Sequence, residues 1–214
     1  MVEKKDVYAL YRKSGILTKA YLRIKLRICP LLRAEEFFPA SGRVVDLGCG
    51  NGLFSFILGL GSPGRTVTGI DLDARKIRVA EETAGHGRAV AFRAGDIVET
   101  DYPPADVFCL IDVLYLIPPA GQDEILRKCS GSLPRGGWLI IKEMDDRPRW
   151  KSAWNRFQET LAVKVIGFTL GEKFHFRSAA GWEDALRRHG FTVRTERLDR
   201  GYWYPHIVLI AQKN

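Results

Sequence analysis

A doubly wound α/β fold, with a mostly parallel sheet of seven strands, is predicted by three observations. Short, near-continuous apolar runs alternate with helix-like stretches from about residue 43, as strands buried on both faces of a parallel sheet require. A glycine-rich turn joins the first run directly to the first helix-like stretch. Two final apolar runs lie too close together for a crossover, so they are antiparallel neighbours.

Residues 44–47, 66–70, 89–93, 107–111 and 138–142 read as five parallel strands, with 53–60, 74–83 and 122–133 as the helices between them. Asp73 precedes Ala74 as the cap of its helix, and Gly136-Gly137 turns the chain into the fifth strand. A longer helix follows over 149–166, then a shorter one over 178–189 that Gly190 stops. Strands 191–198 and 205–212 close the chain across the segment 199–204. The expected organisation is a basic helical cap over residues 1–38 and a single domain over 39–214, with a helical lid at about 147–178.

The 214 residues carry a formal net charge of +8, but the charge is not spread evenly. Residues 1–33 hold nine basic groups against Glu3 and Asp6, a net +7, so the remaining chain is nearly neutral. Within this segment Leu17, Tyr21, Ile24, Ile28 and Leu31 form one helical stripe, expected to pack on the body while Lys19, Arg23, Lys25 and Arg27 face water. No apolar run approaches the roughly 20 residues of a membrane-spanning helix, and Arg and Lys interrupt the N-terminus too often for a signal peptide. Cys29, Cys49, Cys109 and Cys129 form no Cys-x-x-Cys pair. They are expected to be reduced, buried thiols of a cytoplasmic protein, with no metal site.

The first strand runs into Asp46-Leu47-Gly48-Cys49-Gly50-Asn51-Gly52. Glycines here free the backbone and let a ligand approach it closely. Leu53 stands where a dinucleotide fingerprint needs its last glycine, and no Gly-Lys-Ser/Thr follows for a phosphate loop. A carboxylate at the strand end would repel a phosphate but suits a ligand bearing an ammonium or sulfonium group, which points to S-adenosylmethionine.

With these residues in place, the chain resembles the class I, Rossmann-like S-adenosylmethionine-dependent methyltransferases over about residues 40–214. Residues 44–52 match the family's first motif, and Asp71 in Gly69-Ile70-Asp71-Leu72-Asp73 matches the acid that holds the ribose hydroxyls. Asp96 in Ala94-Gly95-Asp96-Ile97 matches the adenine-binding acid, with Ile97 covering the ring. Residues 106–117 and 133–138 resemble the motifs around the fourth and fifth strands. The resemblance implies S-adenosylmethionine as cofactor, held by Asp46, Gly48, Cys49, Gly50, Asp71, Leu72, Asp96, Ile97 and Asp112.

Methyl transfer from a sulfonium needs positioning above all, with a general base where the acceptor is a hydroxyl. Ile111-Asp112-Val113-Leu114-Tyr115 lacks the Asn/Asp-Pro-Pro-Tyr/Phe of family members that methylate base amines or glutamine amides. The expected acceptor is therefore a hydrophobic or aromatic small molecule, methylated at oxygen. His175, between Phe174 and Phe176, is the candidate acceptor-side base; Tyr115 is a second catalytic candidate, and Lys142-Glu143 stand behind it. Trp150, Trp154, Phe157, Leu161 and Val165 give the 149–166 helix an aromatic face for packing or for lining the acceptor pocket. Two other readings stay open: an RNA methyltransferase gripping phosphate through the basic segment, and a non-catalytic S-adenosylmethionine-binding protein. The same segment suits weak contact with an anionic membrane surface, giving a membrane-peripheral protein, or with an acyl carrier. Nucleic acid ranks below these because no RNA-binding module is recognisable.

Overall fold

A computed structural model describes residues 2–85, 89–145 and 174–214. The seven strands are β1 (Ser41–Leu47), β2 (Gly64–Asp71), β3 (Val90–Ala94), β4 (Val107–Ile111), β5 (Trp138–Met144), β6 (Phe191–Arg197) and β7 (His206–Lys213). They form one sheet in the order β3-β2-β1-β4-β5-β7-β6. The first five run parallel, and β7 runs antiparallel to both β5 and β6. The chain winds outward from β1 to β3 and then returns to β4 on the other side of β1. A crevice therefore opens at the carboxyl ends of β1 and β4, where open α/β sheets bind ligands.

Strand alternation divides the core. Val44, Val107, Cys109, Ile140, Val208 and Ile210 face one layer with α4 (Leu53–Gly61) and the N-terminal helices. Val45, Phe108, Leu110, Leu139, Ile141 and Leu209 face the other, with α6 (Pro119–Ser132) and α7 (Ala179–Arg188). Helix α5 (Ala74–Ala84) lies against β3, capped by the Asp73 carboxylate, which accepts from Arg75 N at 3.0 Å. Ser178 Oγ caps α7 at Gly181 N, 3.1 Å. Helix α6 begins at Pro119, three residues before the expected start, because proline at a first helical position loses no hydrogen bond.

The N-terminal segment folds into α1 (Lys4–Leu10), α2 (Ile16–Ile28) and α3 (Leu31–Ala34). Its expected packing face needs correction. Leu31 is buried, but Leu17, Tyr21, Ile24 and Ile28 are exposed, and α2 packs through Leu22, Leu26 and the following Cys29. Lys25 also turns inward, to a carboxylate on the body. The helix carries apolar residues on two sides, and Lys25 lies at the border between them. A buried ion pair secures the junction with β1: Arg65 Nη1 meets Glu35 Oε1 at 2.5 Å, while the same guanidinium donates to the carbonyls of Phe38, Pro39 and Leu58. The expected 149–166 helix, with its aromatic face, lies outside the described residues.

Candidate active site

The β1–α4 turn is built on positive φ angles: Gly48, Gly50 and Gly52 stand at 79°, 57° and 81°, a region closed to most side chains. A Cβ on Gly48 would meet Val113 Cγ2 at 2.5 Å, and one on Gly52 would meet the Phe92 ring at 2.6 Å. Gly50 differs, because no atom lies within 4 Å of where its side chain would begin. The turn is thus braced by β3 and by the loop after β4 at its two ends and open in the middle. That opening is a cradle for a ligand lying against backbone.

Carboxylates edge the cradle. Asp71, at the end of β2, accepts from Gly50 N at 2.7 Å through Oδ2 and from Asp73 N at 2.9 Å through Oδ1, and it is only half-buried. Asp96 Oδ1 accepts from Val98 N at 2.8 Å, and the carboxylate is half-buried beside the buried Ile97. Leu72 leaves 61 % of its surface exposed next to Asp71, an apolar ledge at the strand end. Asp46 stands otherwise: it is buried, and its oxygens accept from Ser55 Oγ at 2.6 Å and Cys109 Sγ at 3.6 Å. Burial pushes its pKa up to about 6, against those two hydrogen bonds. Its two oxygens are thus engaged within the protein, one by α4 and one by β4. Cys49 is a buried thiol whose Sγ lies 3.7 Å from the Gly50 carbonyl oxygen. All four cysteines are free and buried.

Beyond β4 the structure assembles a group of charges in which Asp112, Lys142 and Glu143 were candidates from the sequence and Lys25 was expected to face water. Asp112, at φ 53°, sits between two ammonium groups: Lys25 Nζ of α2 is 2.8 Å from Oδ2, and Lys142 Nζ of β5 contacts Oδ1. Burial opposes ionisation of Asp112, but the two lysines hold its carboxyl well below the usual carboxylate range. Burial likewise opposes the charge on Lys25, and Asp112 more than offsets it, raising its pKa. Both carboxylate oxygens of Asp112 are therefore engaged by protein cations. Lys25 stands at the border between the buried and the exposed faces of α2, a position from which spacing alone gives no direction. Tyr11, equally unforeseen, donates from its hydroxyl to the Asn51 carbonyl at 2.8 Å and meets Phe56 edge-on. Two N-terminal side chains thus hold the cap over the crevice.

Glu143 is buried beside this group, and its Oε1 accepts from Leu114 N at 2.9 Å and Val113 N at 3.2 Å. Burial and then the neighbouring Asp112 push its pKa from 4.5 to about 8. The folded chain holds this proton where the unfolded chain has released it. Stability on this account is fully present below pH 4.5 and declines as pH rises toward 8. Glu143→Gln is expected to flatten that decline in denaturant midpoints measured across the range.

The other catalytic candidates also meet. His175 N donates to the Tyr115 carbonyl at 2.7 Å, and Gln122 Nε2 donates to the His175 carbonyl at 2.9 Å and that of Leu114 at 2.9 Å. Tyr115 stacks on Phe176, with centroids 5.3 Å apart and planes 12° from parallel, and Phe174 lies 5.7 Å from Tyr115. The His175 side chain is half-buried.

A nearly neutral doubly wound sheet, a glycine cradle and carboxylates ending successive strands define a nucleoside-binding crevice suited to a cationic ligand. The chain belongs to the methyltransferase-domain family, whose sequence model matches residues 20–196. The cofactor is S-adenosylmethionine, and Gly48, Gly50, Asp71, Leu72, Asp96 and Ile97 could hold it. A carboxy-S-adenosyl-L-methionine synthase of Chromohalobacter salexigens is 29% identical over 160 residues, 72% of this chain and 54% of that one. A ubiquinone biosynthesis O-methyltransferase of Bordetella avium is 28% identical over 111 residues, 50% of this chain and 44% of that one. The chain thus spans about half the length of these curated relatives. Human N-acetylserotonin methyltransferase, solved with S-adenosylmethionine, shares the fold with a TM-score of 0.68 and 19% identity, covering 100% of this chain and 60% of that one.

Proposed function

We propose that the protein transfers a methyl group from S-adenosylmethionine to a hydroxyl oxygen of a hydrophobic or aromatic small molecule. The reading rests on the cluster of Tyr115, Phe174 and Phe176, which presents aromatic faces beside the loop after β4, on the same side as the cradle. Such faces suit an aromatic or apolar body. The similarity to a ubiquinone biosynthesis O-methyltransferase supports an oxygen acceptor. Held against Gly48, Gly50, Asp71 and Asp96, the cofactor would supply an activated methyl group on a sulfonium.

The chain's own part is placement and proton removal. Asp71 and Asp96 fix the nucleoside, the aromatic cluster orients the acceptor, and the His175 imidazole takes the hydroxyl proton. A methyl-transfer screen across phenols, acyl-carrier intermediates, lipids and RNA tests the reading, with methylated phenol or a similar apolar hydroxyl expected. Methyl transfer to RNA alone overturns it, as does formation of carboxy-S-adenosylmethionine in place of a methylated acceptor. With the acceptor found, His175→Ala is expected to leave cofactor affinity unchanged and lower kcat by about 10²–10⁴-fold, the usual worth of a general base. Normal turnover in that variant removes the base assignment.

A further inference from the structure

Helix α2 presents an apolar face that is exposed among the described residues. Ile16 and Leu17 are 82% and 74% exposed and Ile24 is 59% exposed, with Tyr21 and Ile28 also on the surface. Leu17, Tyr21, Ile24 and Ile28 fall on one side of the helix, opposite the buried Leu22 and Leu26. Arg23 and Arg27 run along one border of this stripe, Arg12 and Lys13 precede its beginning, and Lys19 lies on the far side of the helix. None of these five cations has an ion-pair partner among the described residues, while Lys25 on the same helix is fully engaged by Asp112.

A second element adds to the face. The β6–β7 turn is tied to the end of the cap by Arg33 Nη1, which donates to the Arg200 carbonyl at 3.0 Å. His206 Nε2 lies 2.9 Å from the Ile28 carbonyl oxygen. This turn holds Trp203 out with 83% of its surface exposed and carries the exposed Arg200. Exposed aliphatic side chains, a tryptophan and unpaired cations thus share the region around one cap helix.

We infer that this face docks on the surface of an anionic phospholipid bilayer, with α2 lying in the interface. Apolar side chains in the middle of the stripe would enter the acyl boundary, Trp203 would sit at headgroup depth, and the cations would meet lipid phosphates. No helix among the described residues is long and apolar enough to cross a membrane, so the contact is peripheral. Charge complementarity selects this occupant. A second copy would set the same excess of cations against itself, and a nucleic acid would leave the central aliphatic groups facing phosphate. The inference does not depend on which acceptor is methylated.

The test is co-sedimentation of the full chain with vesicles of phosphatidylcholine alone and of phosphatidylcholine mixed with phosphatidylserine. Binding is expected only to the mixed vesicles, weakening as salt rises. Leu17→Glu with Ile24→Glu is expected to lower partitioning at least about tenfold. Arg23→Ala and Arg27→Ala should each cost about fivefold and reduce the salt dependence. Arg23 and Arg27 lie on the far side of α2 from Lys25, so cofactor affinity by calorimetry in those two variants should match wild type and report an intact fold. Equal binding to neutral vesicles, no binding to either, or variants that partition like wild type overturn the proposal. So does retention by RNA, or dimerisation lost in the Leu17/Ile24 variant, when vesicles are ignored.

Discussion

Asp71→Ala is expected to weaken S-adenosylmethionine binding by about 10²–10⁴-fold. A carboxylate holding two hydroxyls makes two charge-assisted hydrogen bonds, each worth about 1.5–3 kcal/mol, and about 1.4 kcal/mol corresponds to a factor of ten. Asp71 also organises its own surroundings, accepting from Gly50 N and Asp73 N. The alanine variant therefore loosens the cradle as well as losing the ligand contacts. Asp71→Asn separates the two effects, because an amide oxygen can keep one backbone contact while the charge is gone. Titration calorimetry should place asparagine between wild type and alanine. Thermal midpoints should change little, since the group is half-buried and its backbone partners can turn to water. Wild-type affinity in the alanine variant would remove Asp71 from the cofactor site.

The sheet and the cradle were legible because they depend on local pattern. Continuous apolar runs such as residues 107–111 have nowhere to go but a strand buried on both faces, and β4 occupies those same five residues. Gly48, Gly50 and Gly52 needed no partner to be interpreted, since their freedom is a property of the residue itself. Asp46 was legible as a strand-end carboxylate but its partners were not, because Ser55 and Cys109 arrive from a helix and a different strand. The N-terminal helix shows the limit most clearly. Its apolar positions allow two faces, and Leu17, Tyr21, Ile24 and Ile28 make the better periodic stripe. Tertiary structure buries the other face, with Lys25 at its border reaching Asp112. Periodicity weighs hydrophobicity only, and a buried ion pair between residues far apart in sequence leaves no periodic trace. The pairing of His175 with Tyr115 is equally non-local, made through backbone atoms that any residue would supply.

That ion group carries the largest expected stability effect. Asp112→Asn keeps a residue type that tolerates the left-handed backbone at φ 53° and removes only the charge. What remains is Lys25 facing Lys142, whose side chain is 0% exposed, with no anion between them. Removing one partner from a buried charge pair costs about 3–5 kcal/mol, because the other charge stays buried and uncompensated. For a chain of this size that lowers the thermal midpoint by roughly 6–20 °C. The effect should be strongly non-additive. Combining Asp112→Asn with Lys142→Met removes the stranded cation, so the double variant should recover much of the loss. Lys25→Met alone should cost less, since Lys142 still neutralises Asp112, but it releases the cap helix from the body. Limited proteolysis should then cut within residues 1–33 faster than in wild type, while the sheet keeps its protection. Thermal midpoints of Asp112→Asn, Lys25→Met, Lys142→Met and the double variant check the argument. Additive losses would mean that Lys25, Asp112 and Lys142 act as separate surface charges and do not form one buried unit.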